Sequence, residues 1–322
     1  MTVRSLALQS IQYCTSPAAV ERAAASVVAA AETLRRERPA VSQLSWRIGD
    51  CSPEPVLHAA AVARLRAQVG AAGVRLEHRV FGTNHGPSRG HNLLWEEFGA
   101  ADALFLMAPD LVLAPDSLLE LLRLLDDPAV AGVEARQIPP LHPPRLGSYD
   151  APASWIGGAC SMLRGSAFSA VGGYDADTFF LYHNDVDLSW RLRDAGWTLR
   201  ASAHAVVFHD KRPDRDGRFA LGPAARQAAT LGWLSCLHVW GRADAVATLR
   251  ARIEAAASGT RDRSADADAA ADAAADAAAD AAADRAALAD FDARLAAGAL
   301  RALRRSAVID AGLREHPLGG LS

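Results

Sequence analysis

VSQLSWRIGDCSP, residues 41–53, decides how the amino-terminal half of this chain folds. From Val41 to Ile48 apolar and polar residues nearly alternate, the period of a strand. The run stops at Gly49-Asp50-Cys51-Ser52-Pro53, a cluster of turn formers. Upstream, Val3 to Tyr13 is strand-like, and Pro17 to Arg36 carries an Ala-rich helical pattern that ends before Pro39. Downstream, the pattern predicts a helix over Pro55 to Val69 and a short strand over Val74 to Val80. Strands and helices alternating at this spacing predict an α/β fold with an open, mostly parallel sheet flanked by helices. Ligands bind such sheets beyond the carboxyl ends of the strands. Chemistry is therefore expected in the loops that follow strands.

Three loops meet that condition. The first is Gly49-Asp50. The second is GTNHGPSRGHN, Gly82 to Asn92, which leads into a helical stretch at Leu93 to Phe98. Glycines let a backbone approach a ligand closely, and a helix start beside Arg89 suits an anion; an ordinary polar loop is the alternative. The third follows the apolar strand Ala103 to Met107 and reads Ala108-Pro109-Asp110-Leu111. An acid at the end of a buried strand is costly unless it is capped, paired or bound to a metal. Asp116 opens the helix Leu118 to Leu125 as its cap or first-turn acid.

Gln137 to Pro152 is rich in Pro and Gly and is expected as a surface loop. The apolar, glycine-bearing Ser154 to Cys160 packs close to a ligand or another strand, and Gly172-Gly173-Tyr174-Asp175 is a turn. It leads to TFFLYHNDVDLSWRLR, Thr178 to Arg193, where a continuous apolar run gives way to helical spacing at Asp185 and Asp187. Either acid could cap the helix or face a cleft. Trp197 to Phe208 returns as one or two strands and ends at His209, either a structural residue or a ligand.

Beyond Arg218 the character changes. Pro223 to Ala257 is helical with one apolar side. Ala265 to Asp284 then repeats AAAD, setting like charges four apart in a solvated helical spacer or partly disordered linker. Arg285 to Arg305 forms an amphipathic helix that docks on the main domain or a sister subunit, or touches a membrane surface. The expected division is 1–222, 223–259, 260–284 and 285–322.

Half of the 322 residues are hydrophobic and the net charge is -3, which gives no electrostatic case for nucleic acid. Cys14, Cys51, Cys160 and Cys236 are far apart, as in a reduced cytoplasmic protein without a zinc site. MTVRSLALQSIQYC lacks the pattern of a signal peptide, and no apolar run approaches the roughly 20 residues that span a bilayer. The expected location is cytoplasmic, with association at the inner face of the membrane left open.

In their order along the chain, the GDCSP turn, NHGPSRGHN, LFLMAPDLVLAPDSL, SWIGGACSMLRGSAFSAVGGYDADTFFLYHNDVDLSWRLRDAGW and VVFH resemble the inverting family-2 glycosyltransferases of the GT-A fold. The resemblance covers about Val3 to Arg218 and looks closest to rhamnosyltransferase-like members. It implies a nucleotide-diphosphate sugar donor, a glycan or lipid-linked acceptor and a divalent metal, Mg2+ or Mn2+. By the same resemblance Tyr13, Asp50, Asn84, Gly86, Arg89, Gly90 and Asn92 attend the donor nucleotide and diphosphate. Trp155, Gly157, Gly158 and Asn184 line the acceptor or sugar pocket, Asp110 and His209 hold the metal, and Asp185 is the general base. Asp187 then serves the helix start or pairs with Arg191. The chain departs from the family pattern at Asn184, where Glu is usual, and at Ala108, where Asn is common. These departures raise the alternative of a non-catalytic sugar-nucleotide or glycan binding protein.

Overall fold

The computed structural model describes residues 3–140, 152–211, 221–257 and 267–300. The chain opens with β1 (Ser5–Gln12), α1 (Pro17–Glu37), β2 (Gln43–Asp50), α2 (Ala59–Ala71), β3 (Val74–Val80) and α3 (Gly86–Phe98). It continues through β4 (Ala103–Met107), β5 (Leu111–Leu113), α4 (Ser117–Leu125), β6 (Val130–Ile138), β7 (Cys160–Arg164), α5 (Gly165–Ala170), α6 (Asn184–Asp194) and β8 (Thr198–His209). Three helices follow: α7 (Pro223–Val239), α8 (Ala243–Ala257) and α9 (Ala267–Ala296).

The strands form one sheet in the order β3-β2-β1-β4-β7-β6-β8-β5. Its β3-β2-β1-β4 half is parallel, as expected. The other half is mixed: β7 runs antiparallel to both β4 and β6, and β5 antiparallel to β8, while β6 and β8 are parallel. The strand β4 shows why the sheet is covered on both faces. Alternate side chains of a strand point to opposite faces; Ala103, Phe105 and Met107 join the core beneath α1, α2 and α4, and Leu104 and Leu106 join the core with α5 and α6. A strand buried on both sides has no polar positions to spare, hence its unbroken apolar sequence.

Two helices start elsewhere than the sequence pattern places them. α2 begins at Ala59 rather than Pro55, because the preceding turn is held by Asp50, whose carboxylate accepts the Val56 N–H at 2.6 Å. α3 begins at Gly86 rather than Leu93, so most of the expected glycine loop is helix. Pro87 presets the first-turn backbone angle, and Gly90 lets the helix close onto β1, since a Cβ there would lie 2.9 Å from Ile11 Cδ1. The Ala/Asp repeat from Ala267 onward and the following amphipathic stretch form the single helix α9. Residues 141–151 of the expected Pro/Gly loop, residues 260–266 of the spacer, and the tail from Arg301, with Leu303, Arg304 and Arg305, lie outside the described residues.

The described residues group into two compact units. One holds the residues up to Asp175 together with Asp185 to Lys211, and therefore the whole sheet. The other joins Ala176–Asn184 to the carboxy-terminal helices. No helix among the described residues is long and apolar enough to cross a membrane.

Candidate active site

The parallel strands deliver the candidate residues to one edge of the sheet. Gln12 is in register with Asp50 and Asp50 with Val80, so the chain leaves β1, β2 and β3 side by side at Tyr13, Asp50 and the Gly82–His85 loop. β4 ends one residue before Ala108, and its last residue, Met107, pairs with Cys160 at the start of β7. The Gly157-Gly158 turn therefore lies beside Ala108-Pro109-Asp110, and the Ala108 N–H donates to the Ala159 carbonyl at 2.8 Å. His209 closes the edge opposite Leu111.

On the donor side, Tyr13 is half exposed and Asp50 is fully buried. One Asp50 carboxylate oxygen accepts the Ser52 N–H at 3.0 Å and the other accepts the Val56 N–H, so the acid shapes the turn after β2. Ser52 in turn accepts the Cys14 N–H at 2.8 Å and knits this turn to the loop after β1. Asn84 is exposed and accepts the Gly86 N–H at 3.1 Å; Gly86 has φ 66°, a left-handed angle that favours glycine. Arg89 lies exposed on the first turns of α3. Gly90 and Asn92 also have partners within the protein. Gly90 packs on Ile11, and the Asn92 amide donates to the Tyr174 carbonyl at 2.8 Å while accepting the Tyr174 N–H at 2.9 Å.

Asp110 and His209 meet. His209 Nε2 is 3.1 Å from Asp110 Oδ1, and its Nδ1 is 2.9 Å from Gln137 Oε1. The Gln137 amide nitrogen donates to Glu134 at 3.2 Å. A carboxylate can only accept, so the Gln137 oxygen must face the ring and Nδ1 must donate to it. This leaves Nε2 directed at Asp110. A proton or a cation can fill the space between Nε2 and Oδ1, and either steadies the carboxylate. Burial works against the Asp110 charge, but His209, the main chain and Lys211 outweigh it and hold the carboxyl below its ordinary value. An imidazole nitrogen and a carboxylate oxygen side by side, with the other ring nitrogen pinned by a hydrogen bond, suit a divalent ion whose remaining positions are filled from elsewhere. Among the described residues no larger cluster of His, Cys, Asp or Glu is arranged for a metal.

Asp185 and Asp187 lie in the first turn of α6, where the helix dipole favours negative charge. They have different surroundings. Asp187 is fully buried and binds Arg191 Nε at 2.7 Å, as expected, and Arg191 also donates to the Val171 and Gly173 carbonyls. This pair pins α6 to the glycine turn. Asp185 stays partly exposed and accepts the Gly158 N–H at 2.9 Å through Oδ2. The turn that Ala108 grips through Ala159 thus also orients Asp185. A small cavity beneath Asp185 is bounded by Gly157, Gly158, Ser161, Tyr174, Leu188 and Ser189. A Cβ at Gly158 would lie 3.2 Å from the Tyr174 hydroxyl, so glycine permits this closeness. Burial, and then the charge of Asp185, push the Tyr174 hydroxyl well above its ordinary value, against an opposing effect of Arg191, so Tyr174 stays neutral. Trp155 is partly buried and Asn184, the first residue of α6, is buried.

Gln137 and Tyr174 were not singled out as site residues by their sequence. Gln137 stands at the edge of a Pro-rich stretch and gains meaning from a partner 72 positions away. Tyr174 sits in a glycine turn between Gly173 and Asp175, and no local pattern marks it.

Two solved structures are similar in fold over most of the chain: the mannosyltransferase PcManGT from Pyrobaculum calidifontis in complex with GDP-Man and Mn2+ (TM-score 0.57, 16% identity, covering 90% of this chain and 87% of that one) and GalNAc-T7 with UDP, GalNAc and Mn2+ (TM-score 0.56, 12% identity, 76% and 50%). The chain has the GT-A fold. TarS of S. aureus is a further GT-A neighbour, with TM-score 0.51 and 10% identity over 76% of this chain and 41% of that one. In sequence, 107 residues are 38% identical to an N-acetylglucosaminyl-diphospho-decaprenol L-rhamnosyltransferase of Mycobacterium tuberculosis. That match spans 33% of this chain and 34% of the relative. No sequence-family profile matches the chain.

Proposed function

We propose that this GT-A protein transfers a sugar, rhamnose being the leading candidate, from a nucleotide-diphosphate donor to a hydroxyl of a glycan or lipid-linked acceptor, with inversion. The observation that carries this reading is Asp185, held by the Gly158 N–H on the turn that also borders Asp110. The relative's printed activity, addition of rhamnose to a diphospho-decaprenol-linked sugar, supports the choice of sugar and acceptor class.

Inversion in one step needs a base on the acceptor side. Asp185 is the candidate: one oxygen accepts the Gly158 N–H and the other the Val186 N–H, each carboxylate oxygen keeps a further lone pair, and the residue is open enough to take the proton of an acceptor hydroxyl. Leaving-group departure needs negative charge neutralised. Asp110 and His209 would hold a divalent cation, which when bound neutralises charge on the diphosphate. Asp50 and Ser52 hold the turn after β2, and Asn84 with Gly86 the start of α3, so a nucleotide meets a preformed edge.

Thermal denaturation with a panel of nucleotide sugars, with and without Mn2+, tests donor binding. A ligand at about 100 times its Kd stabilises by about 2.7 kcal/mol, a rise of roughly 5–10 °C in Tm for a domain this size. The expected result is such a rise for one base and sugar, larger with Mn2+. No shift with any nucleotide sugar would contradict the proposal. A shift without any turnover would instead favour a binding protein, the reading that Asn184 and Ala108 raise.

A further inference from the structure

The segment that runs up to Asp185 does not group with the sheet. Ala176–Asn184 belongs with the carboxy-terminal helices, and the chain passes into the sheet unit at Asp185. Three contacts within that unit grip the segment. The His183 ring stacks on Trp233 of α7 with centroids 4.9 Å apart and planes at 28°. Gly232, the preceding residue, faces the Tyr182 carbonyl so closely that a Cβ would lie 2.8 Å from its oxygen. Arg294 of α9 donates from Nη1 to the Thr178 carbonyl at 3.2 Å.

The segment needs that grip. Tyr182 and His183 have φ 62° and 56°, two consecutive residues other than glycine in the left-handed region. Such residues cost free energy and persist where the surroundings over-determine them. The surroundings here are α7 and α9, which are themselves bound together. Arg226 of α7 pairs with Asp280 and Asp284 of α9 at 2.9 Å each, and the Thr230 hydroxyl donates to Asp284 at 2.7 Å. Asp284 is buried, so this part of the Ala/Asp repeat is an anchor rather than a solvated row.

We infer that the carboxy-terminal helices clamp the segment before the base: Gly232, Trp233 and Arg294 are positioning residues that hold Tyr182-His183 left-handed and thereby set the start of α6 at Asn184-Asp185. The link to catalysis rests on the transferase reading of Asp185; the clamp itself does not.

The test uses the full chain carrying Trp233→Ala, Trp233→Phe or Gly232→Ala. Hydrogen exchange of peptides covering 176–184 should quicken in the Ala variants and return towards wild type in Trp233→Phe, which keeps an aromatic face. Peptides from β1 to β4 should exchange as in wild type. Transfer should show kcat about 10- to 100-fold lower with the Kd for nucleotide sugar unchanged, the mark of a displaced group rather than a lost donor site. If an Ala variant also loses sheet protection, Arg294→Gln decides, since it removes one hydrogen bond to Thr178. Unchanged exchange over 176–184 in folded variants overturns the clamp. Faster exchange with unchanged kcat overturns its bearing on Asp185. Absence of transfer in the wild type would count against the transferase reading, while the exchange rates would still decide the clamp.

Discussion

Asp185→Asn is expected to lower transfer by about 10² to 10⁴ while leaving nucleotide-sugar binding unchanged. The substitution keeps the size of the side chain, and the amide oxygen can still accept the Gly158 N–H that Asp185 Oδ2 now accepts, while the local bond from the Val186 N–H to Oδ1 is given up. The turn, the Ala108–Ala159 bond and the donor edge should therefore stay in place. The amide cannot take up the acceptor proton. Initial rates under donor saturation, paired with calorimetric titration of the donor, separate the two effects. Turnover at the wild-type rate would remove Asp185 from the base role.

The second large effect is expected at the paired acid and histidine. His209→Ala or Asp110→Asn should abolish Mn2+ binding in the presence of nucleotide, and with it the Mn2+-dependent share of transfer. Each removes one member of a two-residue donor set, and His209→Ala also strands the buried Gln137 oxygen. Gln137→Leu tests the same reading more gently. It spares both ligands and removes the acceptor that fixes the ring, so Mn2+ affinity should fall about 10- to 100-fold, the usual effect of losing a group that orients a metal ligand. Electron paramagnetic resonance of free Mn2+ measures all three variants. Mn2+ affinity equal to wild type in His209→Ala would take the metal away from this pair.

Much of this architecture was legible where a local pattern and a tertiary role coincide. β4 is apolar throughout because both faces are covered, and Asp187 lies one turn from Arg191, so strand and ion pair are visible in the residues themselves. Asp50, Asp110 and His209 share an edge because parallel strands all end there. The start of α3 was hidden, since glycines signal a loop unless Ile11 is known to lie against Gly90. The antiparallel β7 was hidden as well: a five-residue buried strand carries no mark of its neighbours' directions. Gln137 and Trp233 act through partners distant in sequence, and spacing along the chain does not encode such contacts. The helix of the Ala/Asp repeat was legible, but the burial of Asp284 was not, because Asp284 gains its partners from α7.

We propose glycosyl transfer at the edge carrying Asp110, His209 and Asp185. Its most direct measurement is release of nucleoside diphosphate from a panel of nucleotide sugars, with Mn2+ and a polyprenyl-diphosphate-linked N-acetylglucosamine acceptor, by wild type and Asp185→Asn side by side. The expected result is acceptor-dependent release from one donor, with a new glycosidic product, by the wild type and a rate about 10² to 10⁴ lower in the variant. Donor binding by the wild type with no acceptor-dependent release from any donor, or equal rates in the two proteins, would contradict the claim.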